Sequence, residues 1–518
     1  MAAQLQKPLE KIYPLIGIPG VKRDGTEFEG NYYTSAEWCR WRRGLPQKIG
    51  GYQYISEDFT GPVRGMNVAT RGGLVHVHGG SADVLEKTVT DMNGTPGGIV
   101  DRTPAGFDTS DDNIWQFGVM WDAVSVAQQI IAHAAPNLQF IDNDVETPAY
   151  IGDVFGSSDL TAIADSDCSG GVAILRPYLF TFGSDGVVNW SVANTPSDMT
   201  GDGSGTARIA GGKVIAANAV KGGSGTGPAG LFWATDSLAT AAFTGGTSVF
   251  GFQEISEGYS VLSSSCMVEA DGVWFWPGLG RFLSYNGVIR EMKNQMNVDW
   301  FFANLNWSYS QKVTGVRNEQ YNEIWWHAPL FGATENNWAI VYNIPGNFWY
   351  DTPIDRSCGA ARKVFRWPLM FGNDLSSTGK VTLWRHEIGV DKVTSGETLA
   401  IPSSFTTPNI SLCGNGPTGD QIMGEDRNIV SSRFEPDFVQ SGDLQLVFAG
   451  REYAQSELQI SESYTMPEGT EKVDIREQYR QMNVTVMSNT QGGNYVMGQP
   501  LIKMQVGDAM PAAGGSSS

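Results

Sequence analysis

The sequence predicts an all-β protein: a β-propeller of six or seven blades with an additional β-sandwich-like domain. One observation is composition, because 63 glycines among 518 residues and only 17% charged residues are typical of a chain with many tight turns. A second is the repetition of short β-branched and aromatic runs separated by turn dipeptides. The third is spacing, since these hairpin units recur at intervals of about thirty to sixty residues, as propeller blades do.

The densest run of hairpins lies between Ala270 and Thr352. It predicts three short strands, Val273–Trp276, Arg281–Tyr285 and Val288–Met292. Asn286 and Gly287 supply the two positive φ angles that a two-residue hairpin turn requires. A short helix is expected over Met296–Leu305, where apolar residues recur at helical spacing. Such a small sheet cannot bury both faces alone, so it must stack against similar units.

The hairpin units define the extent of the propeller. Similar units begin near Arg64, Ile114, Val172, Arg208, Gly258, Val313 and Ala361. We expect one propeller from about Arg64 to His386, closed where the first and last blades share strands. The glycine-rich insertions Gly201–Gly205 and Gly222–Gly230 are predicted to be exposed hairpin loops.

The predicted domain boundaries follow from changes in composition and in the spacing of predicted strands along the chain. Residues 1–63 form an N-terminal arm and a turn-rich entry segment, 64–395 the propeller, 396–510 a C-terminal antiparallel β domain, and 511–518 a disordered tail. In the C-terminal domain, alternation places two sets of apolar residues on one face each: Leu444, Leu446 and Phe448, and Met482, Val484 and Val486. This alternation is typical of an antiparallel sandwich.

Charge is distributed unevenly along the chain. The net charge is −20, yet the first fifty residues carry eight basic against five acidic residues. An acidic body argues against tight wrapping of nucleic acid, which needs cations on the phosphates. The basic residues Arg40, Arg42, Arg43 and Lys48 have two interpretations: a charged edge strand protected against pairing, or an arm that docks on an acidic partner or on DNA. If they dock, reversal of the three arginines should slow docking without destabilising the fold.

Cysteine spacing and hydropathy indicate the compartment. The five cysteines are Cys39, Cys168, Cys266, Cys358 and Cys413. Their wide spacing suggests neither a disulfide framework nor a zinc site, and we expect free thiols in a reducing cytoplasm. No apolar run approaches the length of a membrane span, so synthesis in the cytoplasm without a membrane partner is expected.

Residues with catalytic or metal-binding chemistry give weak signals. His76 and His78 lie two apart on one strand without a third ligand, so a solvent-facing strand is expected there. The acidic pairs Asp142 with Asp144, and Asp165 with Asp167, lack the glycine and bidentate glutamate of a calcium hand and are expected in surface turns. We find no nucleophile with its base and no phosphate-binding loop, and therefore predict no catalytic, metal or cofactor site and no enzymatic activity.

The order of several phrases resembles a known family. The phrases are G-L-P-Q-K-I-G-G-Y near Lys48, the Ser184–Trp190 hairpin, W-F-W…R-F-L-S-Y-N-G-V-I-R-E-M with a short helix after it, E-I-W-W-H-A-P…A-I-V-Y-N…F-W-Y-D, and G-K-V-T-L-W. In this order they are similar to the packaged-DNA stabilisation proteins of short-tailed bacteriophages, the tail hub or nozzle. The Ser184–Trp190 hairpin is also similar to a structural turn of sialidase propellers.

The resemblance implies a function and a set of partners. The expected protein is a virion tail component that forms a homo-hexameric ring, closes the head, retains DNA and provides the ejection channel. Expected neighbours are the portal and adaptor ring, a tailspike or tail fibre, and a tail needle or plug, with viral DNA passing without sequence-specific contacts. The connector ring is then the docking partner of Arg40, Arg42, Arg43 and Lys48. Two alternatives are a glycan-binding or glycan-cleaving propeller, and a propeller that scaffolds proteins in a host cell.

Overall fold

The computed structural model describes residues 10–95, 97–136, 145–220, 227–246, 248–360, 365–411 and 427–509. The predicted Gly222–Gly230 loop therefore lies partly, and Asp142, Asp144, Cys413 and the tail lie wholly, outside the described residues. No helix in the described residues is long and apolar enough to cross a membrane.

The chain begins with seven short strands. They are β1 (Lys11–Pro14), β2 (Ile18–Val21), β3 (Tyr32–Tyr33), β4 (Ser35–Glu37), β5 (Cys39–Arg42), β6 (Leu45–Lys48) and β7 (Tyr52–Thr60). β2 and β3 pair with each other in parallel. The others join sheets that are completed by much later parts of the chain.

Six four-stranded antiparallel sheets follow in sequence, and each is one blade. Blade 1 contains β8 (Met66–Arg71), β9 (Leu74–Gly80), β10 (Leu85–Asp91) and β11 (Ile99–Asp101); blade 2 contains β12 (Asn113–Asp122), β13 (Ala127–Pro136), β14 (Tyr150–Asp153) and β15 (Thr161–Ala162); blade 3 contains β16 (Gly171–Leu175), β17 (Tyr178–Phe182), β18 (Val187–Trp190) and β19 (Gly205–Arg208). Blade 4 contains β20 (Val214–Ala219), β21 (Ala229–Ala234), β22 (Ser237–Phe243) and β23 (Phe250–Glu257); blade 5 contains β24 (Val268–Ala270), β25 (Val273–Pro277), β26 (Phe282–Tyr285) and β27 (Ile289–Glu291); blade 6 contains β28 (Thr314–Asn318), β29 (Glu323–Ala328), β30 (Trp338–Asn343) and β31 (Phe348–Pro353).

The seventh blade closes the ring with a strand from the N-terminal segment. It contains β32 (Cys358–Ala360), β33 (Leu369–Phe371) and β34 (Lys380–His386), and β34 pairs antiparallel with β7. β35 (Asp391–Val393) and β36 (Thr398–Ala400) extend this sheet beyond β7. The predicted propeller is confirmed with seven blades, and its closing strand comes from within the segment predicted as an entry arm.

Consecutive blades touch through their first strands. A Cβ added to Gly118 would lie 2.3 Å from Ile174 of the next blade, and one added to Gly315 would lie 2.5 Å from Val268 of the preceding blade. Glycine therefore permits an approach that no larger residue allows.

Short helices connect two of the blades. The helix α1 (Val298–Asn304) lies within the range predicted for it, and the 3₁₀ turn Trp307–Lys312 follows. A second 3₁₀ turn, Ser184–Gly186, forms the tip of the hairpin that resembles the sialidase turn. The prediction of two positive φ angles in the turn between β26 and β27 holds only for Gly287, at 102°, and is wrong for Asn286. The reason is that three residues, not two, connect the pair Tyr285 and Ile289.

The C-terminal unit is a set of sheets around one core. Its strands are β37 (Ser403–Thr406), β38 (Ile410–Ser411), β39 (Arg427–Glu435), β40 (Phe438–Ser441), β41 (Leu444–Arg451), β42 (Gln459–Ile460), β43 (Tyr464–Met466), β44 (Val473–Tyr479), β45 (Gln481–Ser488), β46 (Asn494–Met497) and β47 (Leu501–Ala509). The two apolar sets predicted from alternation are buried in this core.

The N-terminal arm belongs to the C-terminal unit, which differs from the predicted division. β1 pairs with β47, β4 with β37, and β6 with β46. An arm of short strands cannot satisfy its backbone groups alone, and strands 350 or more residues later provide the partners. Residues 11–60 therefore contribute strands both to this unit and, through β7, to the propeller.

Candidate docking site at the junction of the two β units

Arg40 is the most deeply buried of the four docking candidates. Its side chain is 1% exposed and lies between the arm and blades 6 and 7. Its Nη1 donates to Glu387 Oε2 at 3.0 Å, and its Nη2 lies 3.2 Å from Glu323 Oε2. The guanidinium also lies 3.6 Å from the centre of the Tyr321 ring, a cation–π contact.

Other groups complete the buried cluster around Arg40. Asn318 Nδ2 donates to Glu387 Oε1 at 2.8 Å, and the indole Nε1 of Trp325 donates to Glu323 Oε2 at 3.2 Å. Burial raises the pKa of Glu323, and Arg40 opposes that rise. Burial alone would lower the pKa of Arg40, but the carboxylates of Glu323 and Glu387 raise it well above its ordinary value. This cluster fastens the arm to the propeller.

Lys48 is also buried and has a structural contact. It is 2% exposed, and its Nζ donates to the carbonyl oxygen of Gly493 at 2.8 Å. Burial lowers the pKa of Lys48 to about 8, and Asp391 partly opposes the shift. Lys48 and Arg40 are thus part of the interior. The expectation that all three arginines could be reversed without destabilising the fold is wrong for Arg40.

Arg42 and Arg43 are the two candidates that lie at the surface. They line a cleft of about 370 Å³ between the β5–β6 turn and two turns of blade 6. Trp41, Tyr321 and Phe348 form its aromatic walls, and Arg42 lies 5.8 Å from the centre of the Tyr321 ring. We call this the junction cleft. An aromatic cleft with two exposed guanidinium groups can bind an aromatic or acidic group of a partner.

The carboxylates that hold Arg40 were missed by the sequence reasoning. Glu323 and Glu387 lie 283 and 347 residues after Arg40, so no local spacing pairs them with it. One signal was present: Glu323 occupies a strand of otherwise apolar residues, where a carboxylate needs a buried partner.

His76 and His78 are not on a solvent-facing strand as predicted. They are 7% and 0% exposed, because the neighbouring blades 2 and 7 cover the two faces of β9. His78 Nε2 lies 3.2 Å from Nη1 of Arg102, and the His76 ring packs edge-on against Phe155. Within the described ranges, no three His, Cys, Asp or Glu side chains form a group that could hold a metal ion.

The tryptophans are mainly core residues. Eleven of the sixteen are buried, and the side chains of Trp121 and Trp307 are the most exposed, at 48% and 40%. Buried indoles cannot stack on a sugar. The mouth of the propeller nevertheless contains a cleft of about 320 Å³ between blades 2 and 5. It is lined by Phe117, Trp274 and the carboxylate of Glu269.

The chain has structural neighbours among solved proteins. No family model matches the chain, and no curated protein matches it. The crystal structure of an exo-beta-1,3-galactanase from Phanerochaete chrysosporium, with galactose, is 10% identical. The match covers 88% of this chain and 100% of that chain with a TM-score of 0.26.

This neighbour corrects one expectation. The chain was predicted not to be an enzyme, and the neighbour is an enzyme, so that prediction is contradicted and is withdrawn. A TM-score of 0.26 carries no argument for a particular reaction, substrate or catalytic residue in this chain.

Proposed function

We propose that this chain is a structural protein of a short-tailed bacteriophage virion, the tail hub or nozzle below the portal and adaptor ring. In that role it closes the head, retains the packaged DNA and contributes to the ejection channel. The order of motifs that resembles the tail hub family is the sequence argument. The structural argument is the way in which residues 11–60 join the two units.

The observation that carries the proposal is this double attachment. β7 completes blade 7, while β1, β4 and β6 complete sheets of the C-terminal unit. Arg40 adds a buried ion pair between the arm and the propeller. Separating the two units therefore requires several strand pairings to break at the same time. Such resistance to force is what a protein that retains pressurised DNA needs.

Charge supports a DNA channel that is formed by a ring of several copies of the chain. The 468 residues after residue 50 carry 27 basic and 50 acidic residues. Such a surface repels phosphate and disfavours adhesion of DNA to the wall.

Imaging and genetics test the proposal together. Cryo-electron microscopy of the purified chain should show a six-fold ring with a central channel wide enough for duplex DNA. Particles assembled from a phage genome with a stop codon in this gene should lose their DNA and regain retention when the purified protein is added. A monomer, together with particles that keep their DNA without the protein, would refute the proposal.

The cleft at the propeller mouth favours a second candidate, a glycan-binding propeller. An aromatic ring near a carboxylate is a frequent arrangement for sugar recognition, and the half-buried ring of Phe117 lines this cleft together with Glu269. A glycan array probed with the wild-type chain and with Phe117→Ala tests this candidate. Binding that the substitution abolishes would support it, and hydrolysis of the bound glycan that Glu269→Gln abolishes would make it an enzyme.

A further inference from the structure

The turn between β12 and β13 presents apolar side chains to solvent. Trp121 is 48% exposed, Val124 72% and Val126 69%. We call these three residues the blade 2 knob. Single exposed apolar residues are ordinary, but three within six positions, one of them tryptophan, are typical of an interface anchor.

The knob is held in place by hydrogen bonds rather than by burial. The Asp122 carboxylate accepts hydrogen bonds from the backbone N–H groups of Val124 and Ser125, at 3.1 and 3.0 Å. The Ala123 N–H donates to the carbonyl oxygen of Asn194 in blade 3 at 2.8 Å. The anchor is therefore preorganised, and little conformational freedom is lost when a partner binds it.

Val126 has a backbone conformation that does not suit it. Its φ is +54°, in the left-handed region, where a β-branched residue is a genuine outlier. Glycine or asparagine would fit this turn better. The folded chain gains nothing visible from an exposed valine in this conformation, which points to a function for the side chain outside the fold.

The charges around the knob define its partner. The segment between β18 and β19, which accepts the Ala123 hydrogen bond, carries Asp198 and Asp202, and the guanidinium of Arg176 nearby donates to Val119 O. A complementary socket would be apolar or aromatic with a cationic rim.

The junction cleft has these properties in the same chain. Its walls are Trp41, Tyr321 and Phe348, and its rim carries Arg42 and Arg43. An inserted indole would meet the rings of Tyr321 and Phe348 and a guanidinium face, whereas Trp41, at 2% exposure, lies behind them. The cleft is open and large enough for one aromatic side chain.

The two surfaces are placed for use between copies. The knob is the turn between the first and second strands of blade 2, and Tyr321 lies in the equivalent turn of blade 6. Equivalent turns of a propeller lie on one face, and blades 2 and 6 are separated by three blades on one side and two on the other. The knob and the cleft therefore lie on nearly opposite sides of that face.

We propose that the blade 2 knob of one copy inserts into the junction cleft of a second copy of this chain. Because both surfaces lie on one face and on nearly opposite sides of it, two copies that meet face to face can use both surfaces at once. This inference deepens the proposed function, and it rests on that function only for the ring that the copies would form in a virion. The contact itself is argued from the two surfaces. Arg42 and Arg43 then bind a neighbouring copy rather than the connector.

The first test measures the mass of the full-length protein by light scattering across a concentration series. Wild type should associate, whereas Trp121→Ser with Val126→Gly, and separately Arg42→Glu with Arg43→Glu, should weaken association at least tenfold. The Val126→Gly change relieves the positive φ, so the first variant should be folded as stably as wild type. Val439→Ser, which changes a 77% exposed valine on the C-terminal unit, is the matched control and should associate normally.

A crosslink tests the contact directly. Copies with Val126→Cys are mixed with copies carrying Pro345→Cys at the cleft, and a dimer should form under mild oxidation only in the mixture. A monomeric wild type, unchanged association of the knob variant, or the absence of the mixed crosslink would each overturn the inference. Loss of connector attachment in the arginine variant with association unchanged would also overturn it. If the contact forms but particles made without the protein retain DNA, the proposed function fails and the contact stands.

Discussion

Arg40 and Arg42 are two residues apart on one strand, yet their guanidinium groups have opposite environments. Arg40 is enclosed between two carboxylates, and Arg42 lies at the rim of an open cleft. A buried cation with two buried anions is costly to disrupt, because the partners remain charged without solvent. An exposed cation contributes little to folding.

We expect Arg40→Met to reduce the free energy of unfolding by about 3 to 5 kcal/mol, since Glu323 and Glu387 would remain buried without a cation. Arg42→Met should change it by no more than about 0.5 kcal/mol. Urea denaturation of both variants beside wild type measures the difference. Equal midpoints for the two variants would show that the buried ion pairs do not stabilise the arm.

Histidines make the stability of the chain dependent on pH. Burial lowers the pKa of His133 to about 4 and that of His327 to about 3, against an ordinary value of 6.5. The unfolded chain therefore takes up protons in a range where the folded chain does not. The contribution of the neutral histidines to the free energy of unfolding is therefore fully present above about pH 6.5. It is lost as the pH falls toward these lowered pKa values.

Between pH 6 and pH 5, each such histidine should remove about 1 kcal/mol of stability per pH unit. The His327→Gln variant should show a shallower dependence than wild type, whatever its stability at pH 7. His76→Gln is the matched control for loss of an imidazole, because burial also lowers the pKa of His76 but its ring is 7% exposed whereas that of His327 is fully enclosed. Denaturation midpoints measured across the pH range test this prediction. Parallel curves for wild type and His327→Gln would show that His327 does not cause the pH dependence.

Among the elements, β7 has the largest effect on the propeller because it closes the ring. Ile55 and Phe59 on this strand are fully buried against blade 7. Without β7, the edge of β34 would expose a row of unpaired backbone groups.

Phe59→Ala should cost about 3 to 5 kcal/mol, as large-to-small changes in a packed core do. Hydrogen exchange should accelerate first in Lys380–His386, the strand that pairs with β7. Ile12→Ala on the exposed side of β1 is the control and should leave exchange in blade 7 unchanged. Faster exchange spread evenly over all seven blades would show that β7 does not specifically stabilise blade 7.

The sequence predicted the blades because their information is local. Gly287 takes the positive φ that its turn requires, and the alternation of side chains along each strand determines which face is buried. The membership of β7 and of the arm was missed because pairing across more than 300 residues leaves no local pattern. The buried Arg40 was interpreted as an exposed charge for the same reason. Arg42 and Arg43 were placed correctly at a surface, while the partner that they bind remains a prediction.

At the scale of the whole molecule, the units are joined by more than the peptide connection between them. β4, β1 and β6 lie before the propeller and pair with strands that follow it. The connection after blade 7 includes the exposed segment Ser395–Glu397.

A protease site inserted at Gly396 should yield two fragments that stay together. The first fragment carries the arm strands that complete the sheets of the second, so both should elute as one species under native conditions. They should separate in urea, which is the control for complete cleavage. Separation without denaturant would show that the arm does not hold the units together.

The early strands also constrain how the chain is made. β7 leaves the ribosome about 320 residues before its partner β34, and at ordinary elongation rates of about 5 to 20 residues per second the interval is roughly 16 to 64 s. The arm strands wait longer still for β37 and β47. Until these partners are made, the nascent chain carries unpaired, aggregation-prone strand edges in its N-terminal segment. The propeller cannot close before β34 is synthesised, and the sheet of β1 cannot form before β47 is synthesised.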